Sequence, residues 1–564
     1  MGAFLYCNKQ INTESIKRVL TTRGHKDVQS EFKGNETIVY AGKILTQSTA
    51  CLSGKQIGEA ATPDDYIIGV GTFFYDGDFG EEALRKVYAN LDKVLSDNPV
   101  YGHWAFVVHK EGVTYVLNDM NGTLRLYSYE KDGKVVVSSS PLAVVAAIEE
   151  PRFDKVLLSA YLAGRYGDEV VPVEGVRNVD PLQYMVVKSG VPEYVRRVVP
   201  DTKRIETLEE AVSYVRELFQ DQLKQLKAIG DERVSIELTA GLDSRLIASN
   251  LKTAGFNYDF LNYPLFGPDK EVAEMIAKGL GKRILTQTNK PCTEDFENHY
   301  GEWDYGFNFF RQYANPRWVI ENRFQFSGAR GECLDLPDIY SDEDISMMEG
   351  PRLVKLLPPL TSTKMMNDDK REEYLGRMKD FFALRGFDPD QRLSEKQQLQ
   401  FCQMLGGQLT GDYMYNSGVQ AHIYFYQIYN EWHFNHFITD IAFDAKSGRK
   451  LTLALIKVID PELGSYPFVS RRRTKRKSVN ETNELPKQYW SYGGIKKMLP
   501  KAVVNFLFEK MGRKFSRKLY NNIDFEYYSD VVKTEELKKY PNLYSITLNR
   551  MYSIEVLRKI MNIA

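Results

Sequence analysis

Short runs of β-branched and aromatic residues, broken by Gly, Asp and Asn, fill the chain as far as about residue 200. ETIVYAGKIL, YIIGVGTFFYDG, HWAFVVHKEGVTYVLND, LRLYSYEKDGKVVVSSS and LQYMVVKSG all carry the signature of strands. KEG and KDG, inside two of these runs, predict hairpin turns. EEALRKVYANLDKVL is the clearest helical pattern among them. This part is expected to be an α+β domain of packed antiparallel sheets.

Near residue 201 the period changes. In ETLEEAVSYVRELFQDQLKQLKAI, Leu208, Val212, Val215, Phe219, Leu223 and Leu226 form one helical stripe, and Thr207 stands in the capping position. A strand at 234–238, a tight turn and a helix from about 243 follow. Next come a second strand, YDFLNYPL, a helix, DKEVAEMIAKGLG, stopped by Gly279 and Gly281, and a third strand, RFQFSGARGE. This alternation predicts a parallel sheet with helices on its faces. Beyond about residue 350 the pattern reads as mostly helical. The chain divides into 1–200 and 201–564.

Composition narrows the classes. The chain has 564 residues, too many for one ordinary core, and Lys+Arg (74) nearly balances Asp+Glu (75). No global charge draws it to nucleic acid, so no nucleic-acid partner is expected. Cys7, Cys51, Cys292, Cys333 and Cys402 are scattered and form no C-x-x-C pair, which fits a reducing compartment rather than a disulfide framework or a structural zinc site. No apolar run is long enough to span a bilayer, and the N-terminus lacks a signal-peptide pattern, so a cytoplasmic location is expected.

The candidate chemistry lies in SIELTAGLDSRL, residues 235–246. A strand running through small residues into a helix start aims backbone N–H groups and the helix dipole at one point. Thr239, Ala240 and Gly241 permit close approach, and Ser244 can donate from its hydroxyl. Asp243 would repel a phosphate unless a divalent cation bridges the two. No lysine is present in the turn, so a Walker site is excluded. The same residues would also serve a purely structural strand–helix turn.

LTAGLDSR resembles the S-G-G-x-D-S pyrophosphate loop of the N-type ATP pyrophosphatases, above all asparagine synthetase and its relatives, among them β-lactam synthetase and the lasso-peptide cyclases. GPDKEVAEMIAKGLG is similar to the family's D-E-x-x-x-A-x-x-x-A-x-x-L-G helix, and FSGARGECL to its S-G-x-G-x-D-E-L loop. GRKLTLALIKVIDPELGSYPF resembles the segment carrying the synthetase lysine. LTTRGHKD and GHWAFVVHKEGVTYVLNDMNGTLRLYSY resemble parts of the class II glutaminase domain.

The resemblance implies an N-terminal antiparallel sandwich of the class II amidotransferase kind and a C-terminal adenine-nucleotide-hydrolase-like α/β domain with a helical end. It implies an ATP-binding set of Leu238, Thr239, Ala240, Gly241, Asp243, Ser244, Asn262, Tyr263 and Gly328. Asp243 and Glu332 would hold Mg²⁺, while Lys450 and Arg330 would serve catalysis. The reaction implied is adenylation of a carboxylate with release of pyrophosphate, then transfer to an amine. The partners would be a small-molecule, sugar or peptide carboxylate and an amine, and a homodimer is compatible with the sequence.

Several residues depart from the pattern. The family's N-terminal nucleophilic cysteine is replaced: residue 2 is Gly, and Cys7 lies inside a strand-like run with the look of a core thiol. Glutamine hydrolysis is therefore expected to be absent. Ala329 stands where relatives carry an acidic or tyrosine side chain, and Arg330 replaces a glycine. The guanidinium of Arg330 suits pyrophosphate or a carboxylate, or a place at the surface. Lys450 lies among Lys446, Arg449 and Lys457, where alignment can slip by a turn. The basic run RRRTKRK, 471–477, suits a solvated loop, a lid over the ATP site, or a docking patch for an acidic substrate. His433 and His436 read as packing residues rather than metal ligands. A cyclase of the same family and a nucleotide-binding pseudoenzyme are the other readings.

Overall fold

The computed structural model describes residues 2–43, 51–163, 171–262, 267–286, 322–334, 365–387, 418–468, 523–539 and 545–563, with a few single positions between them. The strands before residue 197 form two antiparallel sheets. One has six strands and is built round Ala3–Cys7, flanked by Glu36–Ala41 and Lys134–Ser138. The other has seven and centres on Tyr66–Tyr75 and Tyr101–Lys110, paired from Tyr66↔His109 to Phe74↔Tyr101.

The two-residue period of a strand explains their packing. Phe4 and Tyr6 face a core shared with Ile67, Val70, Phe106 and Val108 of the second sheet. Ala3, Leu5 and Cys7 point the other way, into a core with helices. Both expected hairpins form. Glu111 (φ 53°) with Gly112 (φ 77°), and Asp132 (φ 51°) with Gly133 (φ 68°), supply paired left-handed residues whose twist suits two-residue loops.

The outer core of the six-stranded sheet crosses residue 200. The helices Glu14–Thr22, Pro141–Ala146 and Lys155–Ala163 share it with residues of Asp368–Leu384 and Ser545–Met561, including Phe382, Leu548 and Met551.

A five-stranded parallel sheet runs in the order Ile284–Thr286, Tyr258–Asn262, Val234–Glu237, Phe324–Ser327, Tyr424–Gln427. The first and last of these correct the sequence reading. Ile284–Thr286 has only three residues, too few to show a period. Tyr424–Gln427 lies in the stretch read as helical, yet its aromatics suit a strand whose Tyr424 and Tyr426 pack into the sheet's core.

On one face of this sheet Ile236, Phe260, Phe326 and Tyr426 meet the helices Leu208–Leu226, Asp243–Thr253 and Lys450–Ile459. Thr207 and Glu210 form the expected capping box. The buried stripe of that first helix is Ala211, Val215, Phe219, Gln222 and Leu226. Leu208, Val212 and Leu223 pack only partly against the core, while Gln222 turns inward to donate from Nε2 to the Ile428 carbonyl at 3.1 Å.

The antiparallel half meets the edge strand Tyr424–Gln427 through polar contacts. His103 Nε2 accepts the Gln427 N–H at 3.0 Å, and the Thr72 hydroxyl donates to Gln420 Oε1 at 2.7 Å. Asn121 Nδ2 and the Thr123 hydroxyl both donate to the Asn430 carbonyl, at 2.9 and 3.0 Å. Among the described residues no helix is long and apolar enough to cross a membrane.

Candidate functional site

Ligands of open parallel sheets bind beyond the carboxyl ends of the strands, and two loops converge there. The first leaves Val234–Glu237 at Leu238. Leu238 is buried, donates its N–H to the Leu261 carbonyl at 2.8 Å, and accepts Asn262 Nδ2 on its own carbonyl at 2.7 Å. Asn262 is fully buried, and among the described residues its Oδ1 has no hydrogen-bond partner. Tyr263 lies outside the described residues.

The turn is internally bonded. The Thr239 N–H donates to Ser244 Oγ at 3.1 Å, the Thr239 and Ser244 hydroxyls are 3.1 Å apart, and the Gly241 N–H donates to Thr239 Oγ1 at 3.1 Å. Two N–H groups expected to face a phosphate are thus held by hydroxyls of the same turn. Asp243 begins the helix Asp243–Thr253 without a side-chain cap at Leu242.

The second loop leaves Phe324–Ser327 and lies directly on the first. A Cβ at Gly328 would fall 2.6 Å from Ser244 N and Cα. A Cβ at Gly331 would fall 2.3 Å from Asp243 Cβ and 2.8 Å from its Oδ1. These two glycines are therefore required by close approach. Between them Ala329 donates its N–H to Ser327 Oγ at 3.2 Å. Arg330 is buried with φ 72°, a left-handed conformation that favours glycine.

Glu332 sits in the short turn Gly331–Leu334, and its side chain lies outside the described residues. Tyr429, fully buried, donates its hydroxyl to the Asp243 carbonyl at 3.0 Å. The third segment ties the antiparallel half to this site, because Tyr429 immediately precedes the Asn430 held by Asn121 and Thr123.

The lysine segment carries two cations in contrasting settings. Lys450 is exposed at the first position of Lys450–Ile459. Lys446, one turn earlier, is fully buried and donates from Nζ to the carbonyls of Cys333 (3.3 Å) and Ile438 (2.5 Å). Burial of this kind follows from the flexible stem of lysine and was invisible in a run containing four cations.

Two further residues escaped the sequence reading. Arg245 is fully buried and forks onto three carbonyls: Leu463 (3.4 Å), Tyr466 (2.7 Å) and Pro467 (2.8 Å). It fixes the segment that leads to the basic run 471–477, itself outside the described residues. Glu237, at the end of Val234–Glu237, accepts from Gln325 Nε2 at 2.7 Å, and the Ser327 hydroxyl also favours its ionised form. Burial raises its carboxyl to about 7, and those two side chains offset part of the rise.

The glutaminase expectations fall elsewhere. Cys7 is fully buried in its strand, and burial pushes its thiol up. His433 bridges Glu431 Oε1 (2.8 Å) and the Asn98 carbonyl (2.9 Å), while His436 stacks on Trp432. Among the described residues no group of three or more His, Cys, Asp and Glu could hold a metal ion.

No family model matches the chain, and no curated protein matches it. Among solved structures it is similar to the glutamine phosphoribosylpyrophosphate amidotransferase from B. subtilis complexed with ADP and GMP, at 12% identity and a TM-score of 0.23. That match covers 50% of this chain and 65% of the other. A structure described as the allosteric regulatory enzyme of purine biosynthesis matches at 13% identity, with a TM-score of 0.24, covering 46% and 65% of the two chains. The chain thus spans just under two thirds of each, and neither likeness bears on its activity.

Proposed function

We propose that the chain is an ATP-dependent amide-forming synthetase. It adenylates a carboxylate, releases pyrophosphate and passes the acyl group to an amine without hydrolysing glutamine. The observation that carries this reading is the contact of the two loops at the carboxyl ends of adjacent parallel strands, where Gly328 and Gly331 lie against Ser244 and Asp243.

The residues present fit a nucleotide and its metal. Asn262 offers a buried acceptor with no partner among the described residues, which suits an amino group of adenine. Asp243 is an oxygen donor of the kind a hard cation selects. A magnesium ion held by Asp243 and Glu332 would neutralise charge on the phosphates. Thr239 and Ser244 would redirect their hydroxyls from each other to the pyrophosphate oxygens. Lys446 braces the turn that carries Glu332, leaving the exposed Lys450 as the cation for developing negative charge. Tyr429 holds the Asp243 backbone in place.

The second reading is nucleotide binding without turnover. It draws on the hydroxyls of Thr239 and Ser244 being engaged within the turn. ATP–pyrophosphate exchange against a panel of amino-acid, sugar-acid and peptide carboxylates separates the two. Exchange with at least one carboxylate, reduced at least a hundredfold by Asp243→Ala, is expected. MgATP binding with no exchange across the panel would favour the second reading.

A further inference from the structure

Amide formation from an acyl-adenylate leaves a proton to be removed from the attacking nitrogen, and Ala329 provides no side chain for that purpose. We infer that Glu237 accepts this proton, an inference that rests on the synthetase reading above. In the step, the amine nitrogen attacks the acyl carbon and the C–N bond forms. The bond from that carbon to the adenylate oxygen breaks, AMP leaves with the electron pair, and the N–H proton passes to the Glu237 carboxylate.

The placement is specific. Glu237 ends the central strand one residue before the 239–244 turn, and it is the one residue of Val234–Glu237 that keeps some exposure. Its carboxyl is joined to the facing loop through one side chain. The Ser327 hydroxyl favours the ionised form of Glu237, while Ser327 Oγ accepts the Ala329 N–H at 3.2 Å. Glu237 therefore reaches the stretch of that loop in which Ala329 offers no acid or base. Gln325 Nε2 fixes Glu237 Oε1 at 2.7 Å.

Both partners are neutral donors, so no salt bridge holds the carboxyl ionised. Burial keeps it near neutrality, where a proton acceptor is most effective. The other charged groups on this face are remote in role. Asp259, two residues back on the neighbouring strand register, is engaged by Arg283 at 2.6 Å and Arg233 at 3.5 Å. Across the loops stand Asp243 and Arg330.

The test uses the full chain with the carboxylate that gives the strongest exchange and methylamine as the amine. Glu237→Gln keeps the shape and can still accept from Gln325 through its single carbonyl oxygen. Exchange is expected to stay within about threefold of wild type, while amide formation at pH 7 falls at least a hundredfold. Hydroxylamine, whose weakly basic nitrogen gives up its proton to water readily once it has attacked, should recover most of the lost rate. Ser327→Ala removes a bond that favours the ionised carboxyl, so the acid limb of amide formation should move to higher pH. It remains the test if Glu237→Gln does not fold. Undiminished amide formation in Glu237→Gln, equal loss of exchange and amide formation, or an unmoved limb in Ser327→Ala would overturn the inference. Absence of exchange in the wild type would instead overturn the synthetase reading and this inference with it.

Discussion

Arg330 holds a backbone conformation that costs a residue with a side chain roughly 1–2 kcal/mol, with φ at 72°. A glycine would take it without strain, so the persistence of arginine there points to work done by its guanidinium. Comparing two truncations separates strain from charge. Arg330→Gly is expected to be more stable than Arg330→Ala by roughly 1 kcal/mol, since only the first relieves the backbone. Both should bind MgATP at least tenfold more weakly than wild type if the guanidinium meets the phosphates. Thermal denaturation and calorimetric titration of the three proteins read these two effects independently. Equal affinity in all three would assign Arg330 to packing alone.

At the scale of elements, the site is two strand–loop units pressed together, and Gly328 is the contact point. Its missing Cβ leaves Ser244 N and Cα only 2.6 Å from where a methyl would stand. Gly328→Ala must push the second loop away from the helix start, at a cost of roughly 1–3 kcal/mol, as overpacking typically does. Pyrophosphate exchange should fall at least a hundredfold, because the shift separates Asp243 from the turn bearing Glu332. A variant with wild-type exchange would show that the two loops act separately.

The same scale shows what the sequence could and could not reveal. The KEG and KDG turns were readable because left-handed backbone demands particular residues. Val234–Glu237 and its turn were readable because a strand ends among small residues at a helix start. Tyr424–Gln427 was not, since a run of four aromatic and polar residues inside an apolar region carries no decisive period. Glu237 gave no local signal either. Its surroundings come from Gln325 and Ser327, almost ninety positions later in the chain, and only strand pairing brings them together. Lys446 and Lys450 present the same limit: burial is set by the fold, and a lysine carries no mark of it in sequence.

For the whole molecule, the antiparallel half is built into the rest rather than attached to it. Its outer core includes Phe382 and Met551, and its polar residues His103, Asn121 and Thr123 grip the segment that delivers Tyr429 to Asp243. That gives the half a structural task independent of glutamine, and its first residues are fitted to such a task. The Gly2 N–H is committed to the Ala41 carbonyl at 3.1 Å. A Cβ on residue 2 would stand 2.2 Å from the Gly42 oxygen and 2.7 Å from His25 Nδ1. Those neighbours cannot move cheaply. Gly42 donates to the Lys26 carbonyl at 2.8 Å, and its own oxygen lies 2.9 Å from His25 Nδ1. Burial and the nearby Arg23 guanidinium hold the His25 imidazole well below its usual basicity, so it gains nothing by protonation. Placing a cysteine at position 2 is therefore not enough to create a glutaminase. Gly2→Cys is expected to lower the melting temperature and to release no glutamate from glutamine above the wild-type background, measured with a coupled glutamate assay. Glutamate release by that variant would mean that the space at residue 2 can be opened, and that the half retains more of an amidotransferase than its packing implies.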